Sequence, residues 1–428
     1  MAQSSRREIF SWSLYDFANS AFTTLVVTFI YASYFTEAIA SDSDTGTAQW
    51  SMAVGLSAII VAVCSPFLGA MADKGGLRRR YLLTATVVCV GGSVLLYFPV
   101  PGQVLFALSA FVIANVAFEM ANVFYNAYLP DLATPENIGR ISGSGWALGY
   151  VGGLLCLMMG FYVFVAPEQA PFGLDKEAGE HIRATSLLVA GWFALFSIPM
   201  FLWVRDEPVE NRPSSLELFK GAAQEIKSTF AQIRTLKNLF WLLLARLVYN
   251  DGIVTIFAFG AIYATGTFGF ETEDMFLFGI VLNVAAGAGA WLFGFVDDKV
   301  GGRSTIFMSL AGLIVAAILA VVTESPSVFW ASAVLVGLLA GPNQAASRSL
   351  MGRFIPDGRE NEFFGFYAFS GKATAFAGPL ALGALTAAYG QRAGVSVVIL
   401  FFIVGAVLLA KVNEQEGMET AKALAAEG

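Results

Sequence analysis

Long apolar runs broken by short clusters of charge, Pro and Gly make up most of this chain, and residues 52–71 and 81–103 hold no Asp, Glu, Lys or Arg. A helix crossing about 30 Å of hydrocarbon needs roughly 20 apolar residues. Twelve segments meet that requirement: 12–36, 50–72, 81–98, 103–128, 141–165 and 184–204, then 239–267, 274–296, 304–322, 328–350, 363–389 and 393–410. Lipid supplies no hydrogen-bond partner for a bare backbone, so spans of this length must be helical. The pattern predicts an all-α integral membrane protein of twelve transmembrane helices in two six-helix halves.

Composition agrees, with 57% hydrophobic and 13% charged residues against about 25% charged in a soluble domain. The distribution of the 25 Lys and Arg residues gives the topology. Lys176, Arg183 and Arg392 fall on one face, Arg246, Arg348 and Lys372 fall inside spans, and all the others fall on the opposite face. By the positive-inside rule that richer face is cytoplasmic, and both termini lie there. The opposite loops carry Asp42, Asp44, Glu168, Glu271 and Glu273. Residues 1–204 then form an N-terminal bundle and 239–411 a C-terminal one, with 412–428 a cytoplasmic tail. The connection 205–238 places Leu216, Phe219, Ala223, Ile226, Phe230 and Ile233 at steps of three and four beside Lys220, Lys227 and Arg234. That spacing predicts an amphipathic helix along the cytoplasmic interface. The net charge of -7 gives no nucleic-acid signal, and Cys64, Cys89 and Cys156 lie in apolar runs without metal-ligand spacing. The N-terminus reads as a retained first helix, since no cleavage pattern follows Arg6 and Arg7.

The halves repeat. Gly69, Asp73 and Lys74 align with Gly294, Asp298 and Lys299, each set leading from an even helix into a basic loop. Leu129-Pro130-Asp131 and Gly139 align in nearly the same register with Ile355-Pro356-Asp357 and Gly365, and Tyr15 and Asp16 pair with Tyr249 and Asp251. The run from Gly69 to Arg79, with its second copy from Gly294 to Arg303, resembles the loop signature of the major facilitator superfamily. Within it, the run from Tyr15 to Phe22, the segment Tyr249-Asn250-Asp251-Gly252 and the segment from Ser370 to Ala375 resemble the vacuole-effluxer-like branch, named for an autophagy-related amino-acid exporter. One departure is that Gly149-Tyr150-Val151-Gly152-Gly153 lacks the proline of the superfamily's antiporter signature, so that motif does not support antiport.

Three acids and three bases lie inside spans: Asp16, Glu119, Asp251, Arg246, Arg348 and Lys372. Charge at this depth costs about 2.5 kcal/mol or more unless it faces a partner or a cavity. Their equal numbers predict mutual compensation, either around a functional cavity or as structural ion pairs. Asn115, Glu119, Asn122 and Asn126, spaced by four, three and four, share one helix face. Asn19 on the first helix, Asn250 on the seventh and Asn343 on the tenth add polar positions, while Trp146 and Tyr150 on the fifth either wall a cavity or pack. The resemblance implies that helices one, four, seven and ten line a cavity between the halves. It further implies that Asp73, Arg78, Asp298 and Arg303 hold the cytoplasmic side closed. Asp16, Glu119 and Asp251, Glu119 foremost, are candidates for proton or cation coupling. Arg246, Arg348 or Lys372 suits an anionic group, Arg being the better two-point donor. Gly145, Gly149, Gly152 and Gly153 have the spacing that lets membrane helices approach closely.

An enzyme is not expected, since the lone His181 is in a loop and no nucleophile or phosphate motif occurs. The expectation is a secondary transporter of small solutes working by alternating access, with proton-coupled amino-acid or small-peptide export leading. A sugar, organic-acid or drug permease, or a receptor or scaffold without flux, are the alternatives. A small-molecule substrate, protons and membrane lipid are the expected partners, with no cofactor or metal, a monomeric state and a bacterial inner membrane as the site.

Overall fold

The computed structural model describes residues 4–206, 217–219, 221, 229, 233 and 236–427. Among them there is no strand. The first half runs α1 (Arg6–Ile39), α2 (Ser43–Gly75), α3 (Arg78–Leu95), α4 (Val104–Asn126), α5 (Ile138–Met159) and α6 (Glu180–Trp203). The second runs α7 (Lys237–Phe268), α8 (Thr272–Val300), α9 (Gly302–Val322), α10 (Pro326–Arg353), α11 (Glu360–Lys372), α12 (Ala377–Tyr389) and α13 (Gln391–Leu409), followed by α14 (Glu414–Glu427). Ten helices among the described residues are long and apolar enough to cross a membrane. The remaining two spans are α3, which opens on Arg78, Arg79 and Arg80, and the eleventh, which is divided.

Local signals explain where the elements begin. Ser5 and Glu8 form a capping box, so α1 starts at Arg6, ahead of the apolar run. Asp42 accepts the Thr45 amide at 2.9 Å, which starts α2 at Ser43 and not at 50. The eleventh span, expected unbroken over 363–389, stops at Lys372 and resumes at Ala377. Pro379 has no N–H for the Ala375 carbonyl and its ring excludes that group, so the ladder fails across 373–376.

One apolar core runs from Trp12 to Val204, and a second is built by α7, α9, α10, α11 and α13, admitting Val123 from α4 and Ala127 just after it. Stacked rings of Trp12, Tyr125 and Tyr15, with centroids 4.7 and 5.0 Å apart, centre the first; such pairs contribute about 0.5–1.5 kcal/mol each. The glycine stripe of α5 lies on α1, where a Cβ on Gly152 would stand 2.1 Å from the Phe17 carbonyl oxygen. Between halves, α2 packs on α11, and α5 packs on α8 and α10. Of the segment expected to form an interfacial helix, Leu216, Ala223, Ile226 and Phe230 lie outside the described residues; Leu218, Thr229 and Ile233 are buried. Residues after 411 fold back as α14, with Val412 and Ala421 buried.

Candidate functional site

The halves are fastened at the end carrying the basic loops by two carboxylates that act alike. Asp73, near the end of α2, accepts the Asn361 amide N–H (3.1 Å), the Asn361 side-chain Nδ2 (2.6 Å) and the Glu362 N–H (2.8 Å). Asp298, near the end of α8, accepts the Gly139 N–H (2.8 Å) and the Arg140 N–H (3.2 Å), with the Arg140 Nε 3.5 Å away. The first amides of a helix have no partner within it and carry the positive end of the helix dipole. Each Asp therefore caps a helix of the opposite half, Asp73 on α11 and Asp298 on α5. The repeat seen in the sequence is a repeat of this interaction.

Arg78 and Arg303, grouped with these acids in the sequence, stay within their own halves. Arg78 bonds Asp131, Asp206 (3.3 Å) and the Ala127 carbonyl (2.7 Å), and stacks on the Tyr128 ring at 3.9 Å. Arg303 donates to the Ala410 carbonyl at 3.2 Å. Both lie in the first turn of the next helix, where counter-charge or helix-end carbonyls of the same bundle are within reach. Besides Arg140, a base that reaches across the halves at this end is Arg353, which sequence reasoning passed over. It pairs with Asp297 (2.6 Å) and Glu414 (3.4 Å) and donates to the Pro135 carbonyl at 3.4 Å. Its signal was Asp297 itself, standing beside Asp298 in the repeated motif.

Two further ion pairs, inside the predicted spans, join the halves, that of Arg348 the nearer to the basic end. Arg348 on α10 donates to Asp16 (3.0 Å), Asn126 (3.1 Å), the Ser142 Oγ (2.9 Å) and the Ser142 carbonyl (2.7 Å), among the rings of Trp12, Tyr125 and Trp146. Lys372, at the last turn of α11, meets Glu119 on α4 at 2.6 Å. The first pair is buried, with side chains 3% and 12% exposed; the second keeps 31% and 21%. Glu119 and Lys372 are thus the more accessible of the two pairs.

The other predicted residues surround these pairs. Asn19 donates to Asn122 at 3.3 Å, and Asn115 is buried one turn from Glu119. Trp146 and Tyr150 face each other with centroids 6.0 Å apart, and the Trp146 Nε1 is buried without a partner. Arg246 stacks on Tyr367 at 3.6 Å and donates to the Tyr367 carbonyl (2.8 Å) and Ser370 (3.0 Å), with no carboxylate of the described residues in ion-pair range. Asn250 donates to the Gly371 carbonyl at 3.1 Å and accepts from Gln344 at 3.0 Å. Asn343 is not brought into this group: it is fully buried and donates to Ser309 at 2.7 Å. One residue is about 100° of helix rotation, so it is Gln344 that meets Asn250. Asp251 is buried with no cation of the described residues within ion-pair range.

These features decide what the chain is related to. The profile of the family described as vacuole effluxer Atg22 like matches residues 47–422. The chain belongs to this family. An uncharacterised MFS-type transporter of Bacillus subtilis, YxiO, is 27% identical over 417 residues, covering 96% of each chain. Autophagy-related protein 22-1 of Neosartorya fischeri is 27% identical over 314 residues, 67% of this chain and 50% of that protein. Among solved structures, the human organic anion transporter MFSD10 superposes with a TM-score of 0.75 at 15% identity, covering 94% of this chain and 99% of that one. The proton:xylose symporter XylE gives 0.75 at 16% identity, with 98% of both chains covered. The fold is therefore that of the major facilitator superfamily, twelve spans in two six-helix halves, and this Atg22-like protein is an integral membrane protein of a transporter family.

Proposed function

We propose that this Atg22-like protein is a secondary active transporter that moves a small solute by alternating access, with residues 1–204 and 239–411 rocking about the charges inside the spans. The observation that carries this reading is the pair of trans caps, Asp73 on α11 and Asp298 on α5. They use a few hydrogen bonds at one end of the molecule, so they can open without unfolding either bundle. The distribution of Lys and Arg supports a cytoplasmic position for this end, which makes the caps an inner gate and the conformation outward-open. Asn122, Asn126, Glu119, Lys372, Asn250 and Gln344 supply the polar lining.

Family descent favours export of amino acids or small peptides, with the proton as coupling ion. A permease for organic acids is the second reading, because Arg246 holds a buried positive charge that no carboxylate of the described residues answers, and a guanidinium can grip a carboxylate with two hydrogen bonds. Proteoliposomes containing the protein, offered a panel of labelled amino acids with and without an imposed pH gradient, test the first reading. Gradient-sensitive flux above protein-free vesicles is expected. Flux of carboxylic acids lacking an amino group, with none of amino acids, would replace it with the second.

A further inference from the structure

Asp16 and Glu119 are each answered by a base, which leaves Asp251 as the intramembrane acid without one. Its surroundings are specific. Asp251 lies on the face of α7 turned towards the break between α11 and α12, where the Thr374 hydroxyl donates to the Leu247 carbonyl one turn before it (3.3 Å), leaving its oxygen lone pairs free. Across that break Ala375 N–H reaches the Lys372 carbonyl (3.3 Å) and Ala377 N–H the Thr374 carbonyl (2.7 Å), which leaves the Ala373 and Ala375 carbonyls without a backbone partner. A broken helix exposes carbonyl oxygens that the ladder normally consumes, and transporters use such ends to hold ions.

A second observation points to the same place independently. Thr255, one helical turn beyond Asp251 and on the same face, is fully buried and its Oγ1 has no hydrogen-bond partner. An unanswered buried hydroxyl is costly. Gly378, the second residue of α12, sits against both positions: a Cβ there would stand 2.1 Å from the Thr255 Oγ1 and 3.0 Å from the Asp251 carbonyl oxygen. Beyond Thr255 a small, mostly apolar cavity of about 80 Å³ runs past Gly260, Tyr263 and Leu382, with Ser332 on its wall.

The charged groups of the surrounding helices leave this acid alone. Arg246 on α7 is held by Tyr367 and Ser370, Lys372 on α11 by Glu119, and Arg348 on α10 by Asp16. α12 carries no charged residue, and the one on α13, Arg392, is bound at the acidic end to the Val321 and Thr323 carbonyls. Among the described residues no three of His, Cys, Asp and Glu converge, so the donors are hard oxygens with a single negative charge. That chemistry suits one small monovalent cation and not a transition metal.

We infer that Asp251, Thr255 and Thr374, together with the Ala373 and Ala375 carbonyls, form a binding site for a monovalent cation, Na⁺ or H⁺. This deepens the transport reading by placing a coupling ion where α12 meets α11. α11 is fastened at its other end by Asp73, so an ion at the break sets how α12 is carried when that cap opens.

The test is made on the purified full-length protein, so that absent flux in vesicles does not enter it. Thermal unfolding is followed in NaCl against choline chloride and across a pH series, for wild type, Asp251→Asn, Thr255→Val and, as control, Thr265→Val, whose hydroxyl bonds only its own helix. A ligand that binds only the folded state raises the melting temperature. A Na⁺-dependent rise lost in Asp251→Asn and reduced in Thr255→Val, but kept in Thr265→Val, identifies Na⁺. No Na⁺ response, with a pH dependence that disappears in Asp251→Asn alone, identifies the proton. If wild type and Asp251→Asn respond identically to both ions, the site does not exist, even where solute flux is intact.

Discussion

The two ion pairs that join the halves are built for different tasks. Asp16 and Arg348 are shut away among three aromatic rings, and Arg348 spends further donors on Asn126 and Ser142. Glu119 and Lys372 touch at a single contact of 2.6 Å and keep 21% and 31% of their side chains exposed. A charge that loses its partner inside a dry, fully bonded site has nowhere to go. One that is partly exposed exchanges its partner for solvent or substrate at little cost. The first pair is thus a strut and the second a contact that can open during a cycle.

The comparison breaks most readily at the strut. Arg348→Ala should cost about 3–5 kcal/mol, since it strands a buried Asp16, and should be seen as loss of monodisperse protein with a sharply lower melting temperature. Arg348→Lys should recover little of this, because an ammonium cannot reproduce the guanidinium fork. A fully stable Arg348→Ala would make the two pairs equivalent. The next largest effect is expected at the gate: Asp73→Asn and Asp298→Asn should each remove about 1 kcal/mol of attraction between the carboxylate charge and the helix dipole, shifting the population towards opening at the basic end by roughly fivefold. Cysteine accessibility at that end measures it.

Lys372→Ala should change the melting temperature little, the pair contributing at most about 1 kcal/mol when partly solvated, while altering transport strongly. A large stability loss with normal flux would move this pair into the same class as the strut. The smallest effect belongs to Arg303→Ala, whose bonds stay inside one half; a change within about 0.5 kcal/mol is expected, with the inner and outer populations unmoved.

The fold was legible because lipid imposes a simple requirement on every span, and because Lys and Arg mark the basic loops. The repeat singled out Asp73 and Asp298, yet their partners Asn361 and Gly139 became visible only in the packed halves, where two helix ends meet carboxylates distant in sequence. The six intramembrane charges could be grouped but not paired, since pairing follows the rotation of each helix. At α10 that rotation sets Gln344 against Asn250 and turns Asn343 towards Ser309. The break at 373–376 is not legible in the sequence because Pro379 lies inside an apolar run long enough for one span, as Pro66, Pro199 and Pro342 do in helices that stay whole.

Spin labels at Arg80→Cys and Lys299→Cys, two exposed sites on opposite halves at the basic end, would test the gate most directly on a background with Cys64, Cys89 and Cys156 replaced. The account predicts one short distance in the otherwise wild-type protein and a second, longer population when Asp73→Asn and Asp298→Asn are combined. An unchanged distribution in the double variant would show that the caps do not hold the halves together, and would contradict it.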